Sequence, residues 1–245
     1  MKLRSEEDTL GQAIYAQYTK GTGHELIERD DGHLSPSGGE TTYLAPFRDW
    51  AVCERRAIRH ARGRVLDIGC GAGRHALYLQ ERGHDLLGVD ISPLCLKVAR
   101  MRGLRKTRLL SITQVSSSLG AFDTILLLGN NFGLLENPTR ARWLLRRFKT
   151  VTAPDGRLIT GSNDIYQTDD ERNLSYQRNN RKRGRMSGQI RLRVRYRHYA
   201  TPYADYLMVS REEMDQIVSG TGWTVARTYE GPHALYTAVL ERDGT

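Results

Sequence analysis

The chain has only three cysteines among 245 residues, no long apolar run and no acidic excess. Cys53, Cys70 and Cys95 are odd in number and lack metal-ligand spacing. That excludes a disulfide scaffold and a thiolate metal site, and reads as reduced thiols in a cytoplasmic protein. No stretch approaches the ~18 apolar residues of a membrane span. The first residues, M-K-L-R-S-E-E-D, lack the apolar core of a signal peptide. No internal repeat is visible. What remains is a length that suits one large domain with a proper core.

The formal net charge is +9, which suggests a polyanionic partner until the charge is located. Residues 169–200 alone carry +7, leaving +2 for the rest of the chain. The basicity therefore belongs to one segment.

The most informative stretch is Val65–Ser92. An apolar strand, Val65 to Ile68, runs into three glycines at alternate positions, Gly69, Gly71 and Gly73. A helix with Ala76, Leu77 and Leu79 as apolar positions follows and stops at Gly83, and a second apolar strand ends on Asp90. This is the nucleotide-binding half of a doubly wound α/β domain. The dinucleotide fingerprint needs a glycine at the sixth position, where Arg74 stands. Asp67, just before the turn, would also repel a pyrophosphate seated on the helix N-terminus. It suits a cationic ligand end, while Asp90 can accept hydrogen bonds from ribose hydroxyls. An ammonium and a ribose without phosphate fit S-adenosylmethionine better than NAD.

Asp67-x-Gly69-x-Gly71-x-Gly73 with Asp90 resembles motif I and the acidic loop of class I S-adenosylmethionine-dependent methyltransferases. The resemblance implies a doubly wound, Rossmann-like seven-stranded sheet with an antiparallel last strand. To this the sequence adds an N-terminal lid (residues 1–50) and a β-hairpin insertion after strand 5, within a basic stretch at residues 168–209. It also implies cofactor contacts from Asp67, Gly69, Cys70, Gly71, Gly73, Arg74, Asp90, Ile91, Ser111, Ile112, Gly129 and Asn130. Cys70 is expected to fill space beside the cofactor. Many family members place an acid near the end of the third strand to read adenine. This chain has Ser111-Ile112-Thr113 there, so the Ser111 hydroxyl, backbone groups and Ile112 must serve instead.

Several other segments follow in order. Leu10 to Lys20 reads as a short helix, and the glycine-rich, charged stretch 21–39 as turns. Tyr43, Phe47 and Trp50 either cover the cofactor or pack the helix at residues 51–61 onto the sheet. Ser92 caps a helix that ends at Gly103. Phe122–Leu128 is the fully apolar run of a central parallel strand, and Gly129-Asn130-Asn131-Phe132-Gly133 at its end belongs to the active site. The paired prolines of methyltransferases acting on exocyclic amines of DNA bases are absent there. Asn137-Pro138 opens a helix with Trp143, Leu144 and Phe148 on its apolar side. Asn163-Asp164, with Asn130, lacks the second carboxylate a metal site needs, and no metal is expected. Residues 168–188 read as a mobile surface segment. Ile190, Leu192, Val194, Tyr196 and His198 then alternate with arginines as a strand with one packed face, returning through residues 206–209. Ser210-x-x-Glu213 is a capping box, and two strands close the chain.

Methyl transfer from a sulfonium needs alignment and water exclusion more than a shared catalytic residue. By parity Tyr196 and His198 face the pocket, so His198 is a candidate base or simply a residue capping that face. Asn131 is a candidate orienting group. The first functional expectation is a methyltransferase acting on an O or N of a small-molecule acceptor. The alternative is an RNA or DNA methyltransferase that binds through the basic segment and stacks bases on its tyrosines. The sequence does not fix an oligomeric state.

Overall fold

The computed structural model describes residues 7–37 and 39–243; residues 1–6 and 38 of the expected lid lie outside them. In chain order the elements are α1 (Thr9–Lys20), β1 (Leu26–Arg29), β2 (Leu34–Pro36), α2 (Gly39–Thr42), α3 (Val52–Ala57), β3 (Val65–Ile68) and α4 (Arg74–Glu81). Next come β4 (Leu86–Asp90), α5 (Pro93–Met101), β5 (Thr107–Leu109), β6 (Phe122–Leu127), α6 (Pro138–Lys149) and β7 (Thr152–Asn163). The chain closes with α7 (Glu171–Lys182), β8 (Gln189–Tyr196), β9 (Tyr199–Ala200), β10 (Ala204–Leu207), α8 (Arg211–Val218), β11 (Trp223–Glu230) and β12 (Leu235–Arg242).

Seven strands form the main sheet in the order β11-β12-β7-β6-β3-β4-β5. The strands from β7 to β5 run parallel, and β12, last in sequence, is antiparallel to both neighbours. Burial on both faces explains why β3 and β6 are apolar apart from Asp67, Asp123 and Thr124. Alternation then divides their side chains. Leu66, Ile68, Ile125 and Leu127 pack with α6 and α8, whereas Val65, Leu126 and Leu128 pack with Trp50 and residues of α4 and α5. By the same parity Asp67 faces the α4 side. Trp143 departs from its expected place: Ala141, Leu144, Leu145 and Phe148 are buried on α6, while Trp143 is exposed.

A second sheet, β10-β8-β1-β2 with β9 on β8, joins two segments far apart in sequence. The stretch expected to be turns at residues 21–39 forms the β1–β2 hairpin, and β1 pairs with β8 from Leu26↔Arg195 to Arg29↔Leu192. The strand–return expectation for residues 190–209 is met by β8 and β10.

Residues 168–188 are not an irregular segment. They contain α7, capped by Asp170 and anchored by polar rather than apolar groups. The Tyr176 hydroxyl donates to Asp30 and accepts from the Arg191 amide. Asn180 donates to the carbonyls of Ser187 and Gln189, and Gln177 to that of Ile165. A helix held by buried amides leaves no apolar periodicity to read.

Candidate functional site

The carboxyl ends of β3, β4 and β6 meet at the glycine turn. Gly69, Gly71 and Gly73 have φ of 70°, 53° and 79°, a region that side chains with a Cβ rarely adopt. A Cβ on Gly71 would meet nothing within 4 Å, so this backbone borders open space. The turn is tied to β4: the Gly69 amide donates to Val89 O at 2.8 Å and the Gly71 amide to Asp90 Oδ2 at 2.8 Å. Asp90 Oδ1 accepts from the Ser92 amide at 2.8 Å. Each Asp90 oxygen retains a lone pair for further donors. Cys70 lies within the turn, its sulfur 3.0 Å from where a Cβ on Gly88 would stand, and burial holds it as a thiol.

Asp67 is the exceptional group. Its side chain is buried at 2 % exposure, and Oδ2 has no hydrogen-bond partner. Burial first, and the nearby Asp90 charge second, push its pKa up to about 7, with Arg74 acting in the opposite sense. An unsatisfied buried carboxylate is costly, and a cationic ligand group would relieve the cost. Arg74 supplies the opposite pole. Its Nη2 is 2.7 Å from Glu54 Oε1 on α3, and a Cβ on Gly129 would stand 3.7 Å from the same nitrogen. The Glu54 carboxylate is held down at about 2: burial opposes this, but His75 and Arg74 outweigh it.

The loop after β6 closes the site from the other side. Asn131 Nδ2 donates to the carbonyls of Ile68 (3.2 Å) and Gly69 (3.1 Å), strapping this loop to the glycine turn. Asn130, at φ 67°, accepts from the Asn163 amide through Oδ1 and from the Tyr206 hydroxyl, at 2.6 Å, through its carbonyl. The Tyr206 ring lies flat against Gly133, where a Cβ would come within 2.0 Å of it. Asp8, the N-cap of α1, accepts from the Leu94 amide on α5 at 3.0 Å, which pins α1 beside Asp90 and Ser92. Tyr43 lies against Gly39 together with the Glu25 carboxylate, and its hydroxyl is pushed up by burial, then by the charge of Glu25.

Other expected residues sit differently. Ser111 spends its hydroxyl on the Thr113 amide and hydroxyl as the cap of a short 3-10 helix, so its side chain is not aimed outward. Ile112 is half-buried against the core, while Ile91, at the end of β4, stays 45 % exposed. Phe47 stacks on Tyr78 at 4.3 Å and Trp50 meets His75 edge-on. These two pack α4, whereas Tyr43 packs against the cluster of Ile14, Ala72, Cys95 and Val98, of which Ala72 belongs to the glycine turn. Tyr196 is buried, but its hydroxyl donates to Thr22 O at 3.3 Å. His198 is exposed and rests on the Tyr199 ring. The alternation that placed it on the packed face ends at Arg197, whose φ of 53° turns the chain. Of the three candidate catalytic side chains, only Asn131 is at the site.

Sequence reasoning missed Glu54, Asp8 and Tyr206. The Asp8 cap was legible from a carboxylate preceding an apolar-periodic run. Glu54 and Tyr206 gave no signal, since their partners are remote in sequence.

Half of the basic groups of the segment are paired. Arg172 binds Asp170, Arg178 binds Glu171, Arg185 lies 3.6 Å from Asp205, and Arg193 and Arg195 share Glu28. Tyr203 also donates to Glu28. Among the described residues no group of His, Cys, Asp and Glu could hold a metal ion, and no helix is long and apolar enough to cross a membrane.

Residues 65–156 match a family described as "Methyltransferase domain". The chain is 26 % identical to an S-adenosylmethionine-dependent methyltransferase from Bacteroides fragilis, crystallised with S-adenosyl-L-homocysteine, with a TM-score of 0.83 over 99 % of this chain and 98 % of that one. It is 33 % identical over 102 residues to a glycine/sarcosine N-methyltransferase of Halorhodospira halochloris, covering 39 % of this chain and 38 % of that protein. It is 28 % identical over 105 residues to a ubiquinone biosynthesis O-methyltransferase of Xanthomonas oryzae pv. oryzae, covering 40 % and 42 %. The matches thus span less than half of the length of these curated relatives.

Proposed function

We propose that the chain, whose residues 65–156 match a methyltransferase domain and whose fold matches that of an S-adenosylmethionine-dependent methyltransferase, transfers a methyl group from S-adenosylmethionine to an oxygen or nitrogen of a small-molecule acceptor. The observation that carries this reading is the pair of acids at the glycine turn. Asp67 offers a buried oxygen without a partner, and Asp90 is fixed by two backbone amides with lone pairs to spare. Asp90 would take the ribose hydroxyls, Asp67 the ammonium and Arg74 the carboxylate of the methionyl end. Ile91 and Ile112 would flank the adenine, in place of the acid this chain lacks. The open backbone of Gly71 would let the ligand approach closely. When bound, the cofactor supplies a methyl carbon already activated by positive sulfur.

The remaining work falls to the chain, namely alignment and exclusion of water. Residues 1–50 supply the lid, with α1 pinned by Asp8 and Tyr43 at its inner side. Tyr206 and Asn131 hold the loop around Asn130 rigid, so that it can orient the acceptor. His198 and Tyr196 have no part in this reading: the first is exposed at a turn and the second spends its hydroxyl on Thr22.

A small acceptor is favoured over nucleic acid by the relatives named above, which include small-molecule methyltransferases, and by the basic segment, where Arg172, Arg178, Arg185, Arg193 and Arg195 are engaged by Asp170, Glu171, Asp205 and Glu28. Tyr176 and Tyr196 are buried, and the Arg193 guanidinium covers the Tyr203 ring, so these rings are not free stacking platforms. Three buried, unpaired thiols accord with a cytoplasmic protein. Incubation with methyl-labelled S-adenosylmethionine and a cell extract tests the reading. Label is expected in a small-molecule product that chromatography separates from residual S-adenosylmethionine and that is absent without the protein, whereas label transferred only to nucleic acid would overturn the acceptor class.

A further inference from the structure

Glu54 stands on α3, before the first strand of the main sheet, and is not among the groups expected to touch a cofactor. Its carboxylate is 3 % exposed. Oε1 holds Arg74 Nη2 at 2.7 Å and lies 3.3 Å from His75 Nε2. Trp50 covers the group, 5.3 Å from the Arg74 guanidinium carbon to the ring and 4.6 Å between the Trp50 and His75 rings. His75 is held neutral, its pKa lowered to about 4 by burial and then by the Arg74 charge. Glu54 therefore keeps its negative charge for Arg74.

Arg74 has a second acid within electrostatic reach. Asp67 faces the same side of the sheet, and its unpartnered oxygen is an open acceptor. The groups that face Asp67 are Asp90 from β4, the Cys70 thiol of the turn and Arg74 from α4; Glu54 bears on it only through Arg74. In a buried site opposite charges attract strongly, so a guanidinium released from Glu54 would pair with Asp67. That collapse would cancel both poles at once. We propose that Glu54 is a positioning residue that holds the Arg74 guanidinium apart from Asp67, so that the site presents a separate anion and cation to the zwitterionic α-amino acid end of its ligand. The inference rests on the reading in which the methionyl end of the cofactor lies between Asp67 and Arg74.

The test is calorimetric titration of S-adenosylhomocysteine, and of methylthioadenosine, which lacks the amino acid end, into the wild type, Glu54→Gln, Arg74→Met and the double variant. Glu54→Gln is expected to bind S-adenosylhomocysteine about tenfold more weakly and methylthioadenosine as the wild type does. Equal weakening of both ligands, or of neither, would overturn the role of Glu54. A purely structural role would not separate them. The pH dependence gives a second readout. Wild-type affinity for S-adenosylhomocysteine rises as Asp67 ionises through about 7. In Glu54→Gln that rise is lost, because Arg74 already keeps Asp67 ionised. In the double variant it returns, since no guanidinium remains to pair with Asp67. A flat profile in the double variant would contradict the proposal, and this arm serves if Glu54→Gln fails to fold, because it removes both buried charges together. Arg74→Met with wild-type affinity would instead remove the placement of the carboxylate on Arg74, and with it the underlying reading. Arg74→Met weakened while Glu54→Gln is unchanged overturns the role of Glu54 alone.

Discussion

Asp67 and Asp90 lie on adjacent parallel strands, β3 and β4, and the charge of Asp90 burdens Asp67. Asp90 is compensated by the amides of Gly71 and Ser92, while Asp67 keeps an oxygen with no partner. The site thus stores an unfavourable charge that a cationic ligand relieves.

The affinity for S-adenosylhomocysteine is therefore expected to depend on pH. Asp67 binds an ammonium only when ionised, and its pKa in the free protein is raised to about 7. Below that value affinity should fall by up to about tenfold per pH unit, and above it should level off. Asp67→Asn should bind weakly with a flat profile. Calorimetry across this range checks both.

Stability should run the other way. An acid whose folded pKa is raised binds more protons folded than unfolded, so its penalty is absent below about 3.8 and grows as pH rises to about 7. In ligand-free protein at pH above 7, Asp67→Asn should be more stable than the wild type, on the order of a few kcal/mol. Denaturant unfolding at low and high pH would show the gain only at the higher one. A variant no more stable at high pH contradicts the assignment of an unrelieved buried charge.

Asn131 acts on the cofactor turn from outside it. Asn131→Ala removes two hydrogen bonds to the Ile68 and Gly69 carbonyls, and should cost about 1–2 kcal/mol of stability. Cofactor affinity should drop with it, as the glycine turn loses its strap. Parallel thermal melts and titrations measure the two effects.

Tyr206 and Gly133 form a pair on the acceptor side. Gly133→Ala would place a Cβ 2.0 Å from the Tyr206 ring and push it off the loop. Methyl transfer should fall at least about tenfold, with cofactor affinity changed little. Tyr206→Phe, which loses only the bond to the Asn130 carbonyl, should be milder. The ratio of kcat loss to Kd change distinguishes an acceptor-side defect from a cofactor-side one.

Glu28 pairs with two arginines of the second sheet, Arg193 and Arg195, and accepts from the Tyr203 hydroxyl. Glu28→Gln should lower the melting temperature, and the difference should shrink as salt is added. Arg181, Lys182, Arg183 and Arg185 made neutral together should leave cofactor binding and methyl transfer unchanged. A concurrent loss of methyl transfer would restore a substrate-binding role to that segment.

The main sheet was legible because its signals are local: buried parallel strands are continuously apolar, and the turn needs glycines at positive φ. Ser92 and the capping box at Ser210 were equally plain. The second sheet was not, since β1 and β8 are brought together across the whole domain and β1 alone is too short and charged to read as a strand. The helix α7 was hidden because Tyr176, Gln177 and Asn180 bury polar groups where apolar ones would have shown a period. The glycine turn and its two acids, on which the proposed cofactor contacts rest, were legible from their spacing alone. His198 was misplaced because period-two alternation was extended one residue past the left-handed turn at Arg197. Glu54 depended on a tertiary pairing that no local pattern encodes.

The most direct measurement of the central claim is calorimetric titration of S-adenosylmethionine into the wild type and Asp90→Ala. The wild type is expected to bind at one site, with affinity reduced at least about tenfold in Asp90→Ala through loss of the ribose hydroxyl contacts. Equal affinity in the two proteins, or no binding to the wild type, would contradict the account.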